Sequence, residues 1–531
     1  MDRTGASRGA LSLALIAGLA ACSAPGSREP APGLGVRRAG GVARALFPSR
    51  DGAWLAFLDG CREARAVSLP AGTASCDLRV VPAAGGEARV VAGGVTTLSD
   101  GVIFSSAATE LAALARYDYA GAAGTLVLWR PESGARELGG GVTFHGFGPG
   151  GELGYIAGGE LFVLPPGGEP AEVPGTTGAS SFELGSARGR GDAGALAALV
   201  RRRSAAGGEL LAVAAGARAM PVAAPVGDYG FDRGGARYAF TTLGRRGAEL
   251  LLAEARPGAR PSSIGRDVRA FTFAPAGDAI AFVADVKPGE QGDLHVLRLS
   301  PQAGEPGAVD ALLGKEVGEY RWATRAPRLV WLERYDPRVR AGTVGAGGLD
   351  LPRRTFAANV SDVEISADGR NVAFLQHTTR GGYSVDLFVA ALDAPAGAAP
   401  KPLARGVFGF AFSPDGRWLY YRTRCTRNAE ACDLERVPAE GPAPGAKPEL
   451  VVEGAKSFEF DPRDPGRLLV TWQRMDRNAL DVAVWEVGKL TSIDTYVLPG
   501  SARFLGPDSR RVAYVVMHEK RQGVYVAELP R

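Results

Sequence analysis

From residue 34 onward the chain is written in short apolar runs, with no sustained helical stripe. Phe410-Ala411-Phe412 precedes Ser413-Pro414-Asp415-Gly416 and is followed by Trp418-Leu419-Tyr420-Tyr421. The same order of short strand, turn and very apolar second strand returns at Val363-Glu364-Ile365 with Val372-Ala373-Phe374-Leu375, and at Phe271-Thr272-Phe273 with Ile280-Ala281-Phe282-Val283. Further copies are Phe47-Pro48 with Trp54-Leu55-Ala56-Phe57, and Pro507-Asp508 with Val512-Ala513-Tyr514-Val515. Proline presets the first φ of such a turn and glycine accepts positive φ at its end. Self-similarity of this kind sets the fold before any local reading does.

The aligned second-strand residues are Phe57, Phe104, Tyr155, Leu199, Phe240, Phe282, Trp331, Phe374, Tyr421, Val470 and Tyr514, about 46 residues apart on average. Alternating third strands follow, as at Leu161–Leu164, Asp293–Leu297 and Val385–Val389. A weaker fourth strand leads to a recurrent Gly-Val, as at Gly141-Val142 and Gly406-Val407. Four short strands per repeat predict an all-β chain of β-propeller blades. Leu111 to Tyr119 is the best helical candidate and reads as a loop decoration. About eleven copies exceed the four to eight blades usual in one ring. Two propellers are therefore expected, with a division near 225–270. Leu34 to Arg38 reads as an outer strand and the last copy lacks one, so strand 34–38 is expected to close the last blade beside Gly523 to Leu529.

The Ser-Pro-Asp-Gly turn, the apolar strand after it and the basic loop beyond resemble the WD-repeat-like propeller repeats of TolB-type periplasmic proteins. They are also similar to the propeller of dipeptidyl peptidase IV-type enzymes. The resemblance covers about residues 34–531 and is clearest around 363–425. It implies a propeller and is nearly silent about ligand. A peptidase of that kind would need an α/β-hydrolase domain of roughly 200 residues, and the repeats leave no room for one.

Ahead of the repeats, Arg3 and Arg8 precede an apolar run, Ala10 to Ala21, ending Leu19-Ala20-Ala21-Cys22. Charge, a dozen apolar residues and then small residues is the secretory leader pattern, and the run is shorter than the roughly 20 residues a transmembrane helix needs. Its end resembles the bacterial lipobox, which implies cleavage before Cys22 and diacylglycerol on the Cys22 thiol. The expected layout is signal peptide 1–21, tether 22–33 and propeller repeats 34–531. By the same resemblance, Ser23 after the cysteine leans towards the outer membrane over the inner, on the periplasmic side. Gly5-Ala6-Ser7-Arg8-Gly9 fits a hydrolase elbow but lies in the leader and follows no strand.

Composition narrows the function classes. Gly 74 and Pro 36 make about a fifth of the 531 residues, below the roughly 25–30% at which low complexity is the better reading. A net charge of +4 excludes a nucleic-acid binder. The four His, at 145, 295, 377 and 518, are scattered, so no metal centre and no cofactor are expected. Gly345-Ala346-Gly347-Gly348 opens no helix and makes a poor phosphate loop.

Four cysteines follow Cys22. Cys61 and Cys425 come after the second strand of their copies, and Cys76 and Cys432 open the third. Exported chains meet an oxidising compartment, and of the three connectivities open to four cysteines only Cys61–Cys76 with Cys425–Cys432 is local to a blade. A zinc site would need two blades to meet. In the family resembled, loops after the second and fourth strands line one mouth of the ring. Several such loops are basic here, with Arg203, Arg246, Arg334, Arg380, Arg424, Arg474 and Lys520, and convergence would favour an anionic partner. Interleaved acids and the general abundance of Arg give the plainer reading of local hydrogen bonding. Two functions stay open: a noncatalytic, lipid-anchored propeller binding a protein or cell-envelope partner, with no catalytic residue assigned, or a propeller lyase or hydrolase with its site on the ring axis.

Overall fold

A computed structural model describes residues 33–530, apart from 65–68, 70–72, 99–100, 107–108, 186–195, 206, 245–246, 287–290, 300–309, 378–384, 396–397, 427–430, 444 and 474–479. Cys22, the leader and most of the tether lie outside the described residues. Among those described every regular element is a strand, and no helix is long and apolar enough to cross a membrane. The chain falls into two compact units, residues 1–184 with 457–531, and residues 185–456. These boundaries lie at Leu184/Gly185 and Lys456/Ser457, whereas the repeat pattern placed a division near 225–270.

In the unit of residues 185–456, Val226–Phe231, Arg237–Gly244, Gly247–Glu254 and Ser262–Gly265 pair antiparallel in sequence order. The strands of 270–317 and 410–455 do the same, and the sheet of 319–404 holds two such runs joined at Gly342↔Val360. In the other unit the sheet of 45–96 is one run, and Gly134–Phe147 ends one run and begins the next within the sheet of 102–172. The sheet of 457–528 takes in Val36–Gly40 from the N-terminal end of the repeats. That strand pairs with Gly523–Val526, Val36 opposite Val526 and Gly40 opposite Gly523. It is seated by Leu34 N–H donating to Ile493 O at 2.9 Å. A Cβ at Gly35 would overlap the Tyr514 hydroxyl, so only glycine lets the backbone pass there.

Successive runs pack face to face, which explains why second strands are apolar on both sides. Leu55 and Phe57 meet Ala513, Val515, Val524 and Val526, and Leu78 and Val80 meet Val127 and Trp129. In the second unit Val330 and Leu332 meet Val363 and Phe374, and Leu375 and Leu387 meet Leu419 and Tyr421. A strand covered on both faces reads as continuous apolar sequence. The result is a propeller arrangement, in which five blades lie in a ring.

The turns are built as their residues require. Ser413 Oγ donates to Asp415 Oδ1 at 2.5 Å and accepts from Trp418 N–H at 3.0 Å, and Gly416 takes φ +75°. Ser366 with Asp368, and Ser49 with Asp51, repeat the bond. The recurrent Gly-Val marks a positive-φ step at the end of the outer strand. Gly94, Gly141 and Gly406 have φ of 68°, 65° and 62°, and each delivers a buried valine, Val95, Val142 and Val407, between runs. Asn359 and Tyr496 make the same step before Val360 and Val497.

Two expectations are corrected. Leu111–Asp118 is a strand, paired with Val102–Phe104 and Ala123–Arg130. Leu111 to Ala115 are all buried, so the run shows no period-2 alternation, and its Leu and Ala content mimics a helix. The second strand of that copy is consequently Leu111–Asp118, and Phe104 belongs to its first. Gly345 to Gly348, read as opening no helix, lie in the strand Ala341–Gly348. A Cβ at Gly345 would stand 2.5 Å from the Trp331 ring, so this glycine makes room for a fully buried indole.

Candidate functional site

Disulfides close two equivalent hairpins. Cys61–Cys76 and Cys425–Cys432 are bonded, with Cα atoms 4.0 and 3.9 Å apart and sequence separations of 15 and 7. Cys61 lies within the strand Trp54–Glu63, inside the register shift between Asp59 and Arg62, and Cys425 lies two residues beyond Trp418–Thr423. Cys76 and Cys432 are buried. The bonds suggest an extracytoplasmic setting.

Of the basic loop residues, Arg246, Arg380 and Arg474 lie outside the described residues, as does Cys22. Arg203, Arg334, Arg424 and Lys520 are exposed. Arg424 is paired with Asp433 and Glu435, each at 2.7 Å, and these carboxylates hold its guanidinium above its ordinary value. Arg334 and Arg424 share a left-handed backbone, φ 50° and 48°, as does Arg116 with φ 46°. Arg116 in turn forks onto Glu137 through two bonds of 2.8 Å. Arg424 is thus satisfied by acids of its own hairpin, and Arg116 by one on the fourth strand of its run.

A signal that the repeat pattern concealed sits on the first strands of the unit 185–456. First strands of neighbouring runs bond one another directly, as strands converging on a propeller axis must. Thr272 accepts from Trp322 Nε1 at 3.0 Å and donates to the Tyr320 hydroxyl at 3.2 Å. Arg321 lies 3.5 Å from Asp362 and 3.9 Å from Glu319. Glu364 Oε2 accepts from Phe412 N–H at 3.3 Å. Burial lifts the Glu364 carboxyl to about 7, aided by Asp362 and opposed by the Phe412 N–H and Arg321. Burial likewise raises the Tyr320 phenol to about 12. A half-ionised carboxyl beside a guanidinium and a second carboxylate can accept or donate a proton near neutrality. Strand alternation puts Tyr320 and Trp322 on one face and Arg321 on the other; their contacts across 40 to 50 residues of sequence have no local signature.

The histidines do not gather into a centre. His145 lies in Gly134–Phe147, buried with its Nε2 unpartnered, and burial lowers it to about 4. His295 stacks on Phe282 at 5.3 Å, and His518 meets Tyr496 edge-on at 4.7 Å. Among the described residues no group of His, Cys, Asp and Glu is placed to hold a metal.

No known family model matches the chain, and no curated protein sequence does. Solved structures similar to it include the eukaryotic initiation factor at 10% identity and TM-score 0.40, covering 70% of this chain and 93% of that one. The Dos1 propeller gives 12% identity and TM-score 0.36, over 68% of this chain and 95% of that one. Oligogalacturonate lyase in complex with manganese gives 13% identity and TM-score 0.31, over 64% and 97%. At such identities and scores these likenesses carry nothing about activity.

Proposed function

We propose that the chain is a lipid-anchored, extracytoplasmic propeller protein that binds a protein or cell-envelope partner without catalysing a reaction. The observation that carries the reading is the pair of hairpin disulfides in a chain whose N-terminus reads as a lipoprotein leader ending at Cys22. In this reading the TolB-type repeats form eleven blades in two propellers. Unit 1–184 with 457–531 contributes five, closed by Val36–Gly40, and residues 185–456 contribute six, with the first strand of the sixth drawn from Ala179–Leu184. The tether leaves the repeats at Gly33, and an outer-membrane leaflet facing the periplasm is the proposed anchor. The test is in-membrane crosslinking followed by affinity purification of the native protein. A specific partner lost on Cys22→Ala supports the reading; a soluble protein that captures none contradicts it.

The second reading, a lyase or hydrolase with its site on the axis, is favoured by one observation. Glu364, with its carboxyl near 7, stands beside Arg321 and Asp362 on neighbouring first strands. Turnover of an envelope polymer that Glu364→Gln abolishes while the fold is retained would decide for it.

A further inference from the structure

In the unit 185–456 the chain passes from second to third strand, and from fourth strand to the next run, at one and the same end, because antiparallel strands alternate in direction. Among the described residues of this unit, the three most exposed large apolar side chains all lie at that end. Leu243, 50% exposed, closes the strand Arg237–Gly244. Val339, 66% exposed, lies in the turn between Arg328–Asp336 and Ala341–Gly348. Phe408, 53% exposed, lies between Lys401–Ala404 and Phe410–Phe412. A single exposed apolar residue is ordinary. These three stand on separate hairpin ends with the runs 270–317 and 360–404 between them, so they form no contiguous patch of the sort a protein partner covers.

The turn that carries Val339 is also charged. Arg334, Arg338 and Arg340 are exposed there, with Pro337 between them and Asp336 as the one acid. Asp336 Oδ1 accepts from the Arg338 backbone N–H at 2.9 Å. Arg334 has the left-handed backbone of Arg116 and Arg424, but its run supplies no acid to answer it. The third strand reads Ala-Gly-Thr-Val-Gly-Ala-Gly-Gly and the fourth Arg-Thr. The neighbouring Glu333 is buried and held by Arg353 at 2.7 and 2.8 Å. Among the described residues the guanidinium groups of Arg334, Arg338 and Arg340 have neither ion pair nor hydrogen bond, and the same holds for exposed Arg405 near Phe408.

We propose that this end of the unit 185–456 docks on an anionic phospholipid bilayer, with Val339 and Phe408 entering the headgroup boundary and Arg334, Arg338 and Arg340 on lipid phosphates. A fluid, planar surface takes separate apolar side chains without a matching shape, and it offers phosphates to guanidinium groups that the protein leaves unanswered. Apolar insertion and attraction to anionic lipid then add. The proposal goes beyond the partner reading and does not rest on it, because it needs neither Cys22 nor a protein partner.

The test is vesicle co-sedimentation of residues 22–531 with Cys22→Ser, a chain that carries neither lipid nor the apolar leader. The probes are vesicles of equimolar phosphatidylcholine and phosphatidylglycerol, and vesicles of phosphatidylcholine alone. Binding to the anionic vesicles is expected at least tenfold tighter than to the neutral ones, and it should weaken as salt rises. Arg338→Gln/Arg340→Gln should weaken it about 25-fold, about fivefold for each arginine. Val339→Ser/Phe408→Ser should weaken it about tenfold or more and leave its salt dependence unchanged. All four residues are exposed, so the denaturation midpoints of both variants should match the parent. No sedimentation with anionic vesicles, equal sedimentation with neutral ones, or binding unmoved by the arginine changes would each overturn the proposal. Loss on the arginine changes with none on Val339→Ser/Phe408→Ser would show adsorption without insertion and overturn it too. None of these results bears on the anchor at Cys22, so the two readings fail separately.

Discussion

The two units share a backbone plan and differ in how they treat charge. In the unit 1–184 with 457–531, Arg467 and Asp494 are buried against opposite charges. Arg467, 2% exposed, bonds Asp461 at 3.2 Å and Glu486 at 2.8 Å, and its guanidinium also reaches Ser509 O at 3.0 Å. Asp494 is wholly buried and accepts from Tyr514 at 2.9 Å and Arg521 at 2.6 Å. On this unit's first strands, Glu459 is answered by Arg503 at 3.2 Å. The first strands of residues 185–456 instead carry Asp228, Glu319, Asp362 and Glu364 against Arg321. The repeat therefore specifies the scaffold, and the charge on the innermost strands is free to differ from unit to unit.

The largest test of this contrast is Arg467→Met. Removing one member of a buried ion pair typically costs about 3–5 kcal/mol. Chemical denaturation should show that loss, with hydrogen exchange accelerated in peptides of 457–528 before those of 196–456. A change below 1 kcal/mol would mean the network is not holding the unit together.

The next test uses the opposite pH responses of the two units. Glu364 is raised from 4.5 to about 7, so its stabilising neutral form is complete below 4.5 and lost as pH rises through 7. His145 is lowered from 6.5 to about 4, so its contribution is complete above 6.5 and lost as pH falls through 4. Each full swing is on the order of 3 kcal/mol. Relative to wild type, Glu364→Gln should be more stable at pH 8 by up to that amount and indistinguishable at pH 4. His145→Leu should lose the acid step alone. Glu364→Gln destabilised at pH 8 would show a paired, structural carboxylate and erase the contrast.

Much of the scaffold was legible beforehand because it is encoded locally. The Ser-Pro-Asp-Gly turns, the Gly-Val steps and the hairpin cysteines each act within about fifteen residues. What escaped depends on distant contacts. Leu111–Asp118 is fixed as a strand by burial on both faces, which removes the alternation a strand is read from. Arg321 with Asp362, and Glu364 with Phe412, meet only when neighbouring runs stack.

The two disulfides offer a finer comparison. Loop-closure entropy gives about 3 kcal/mol for the 15-residue separation and about 2 kcal/mol for that of 7. Cys61→Ser/Cys76→Ser should therefore lower the denaturation midpoint more than Cys425→Ser/Cys432→Ser. The reverse order would assign their stabilisation to local packing. Smallest of all, Arg503→Ala should change stability by no more than about 1 kcal/mol, since its pair with Glu459 is solvent-accessible; a larger loss in denaturant melts would make that pair structural.

The proposed function rests most directly on Cys22. Intact-mass analysis of the protein extracted from membranes should show a chain that begins at Cys22 and carries diacylglycerol on its sulfur with further acylation, since one chain alone anchors only marginally, with K on the order of 10⁴ M⁻¹. A mature protein with an unmodified Cys22, or one still carrying residues 1–21, would contradict it.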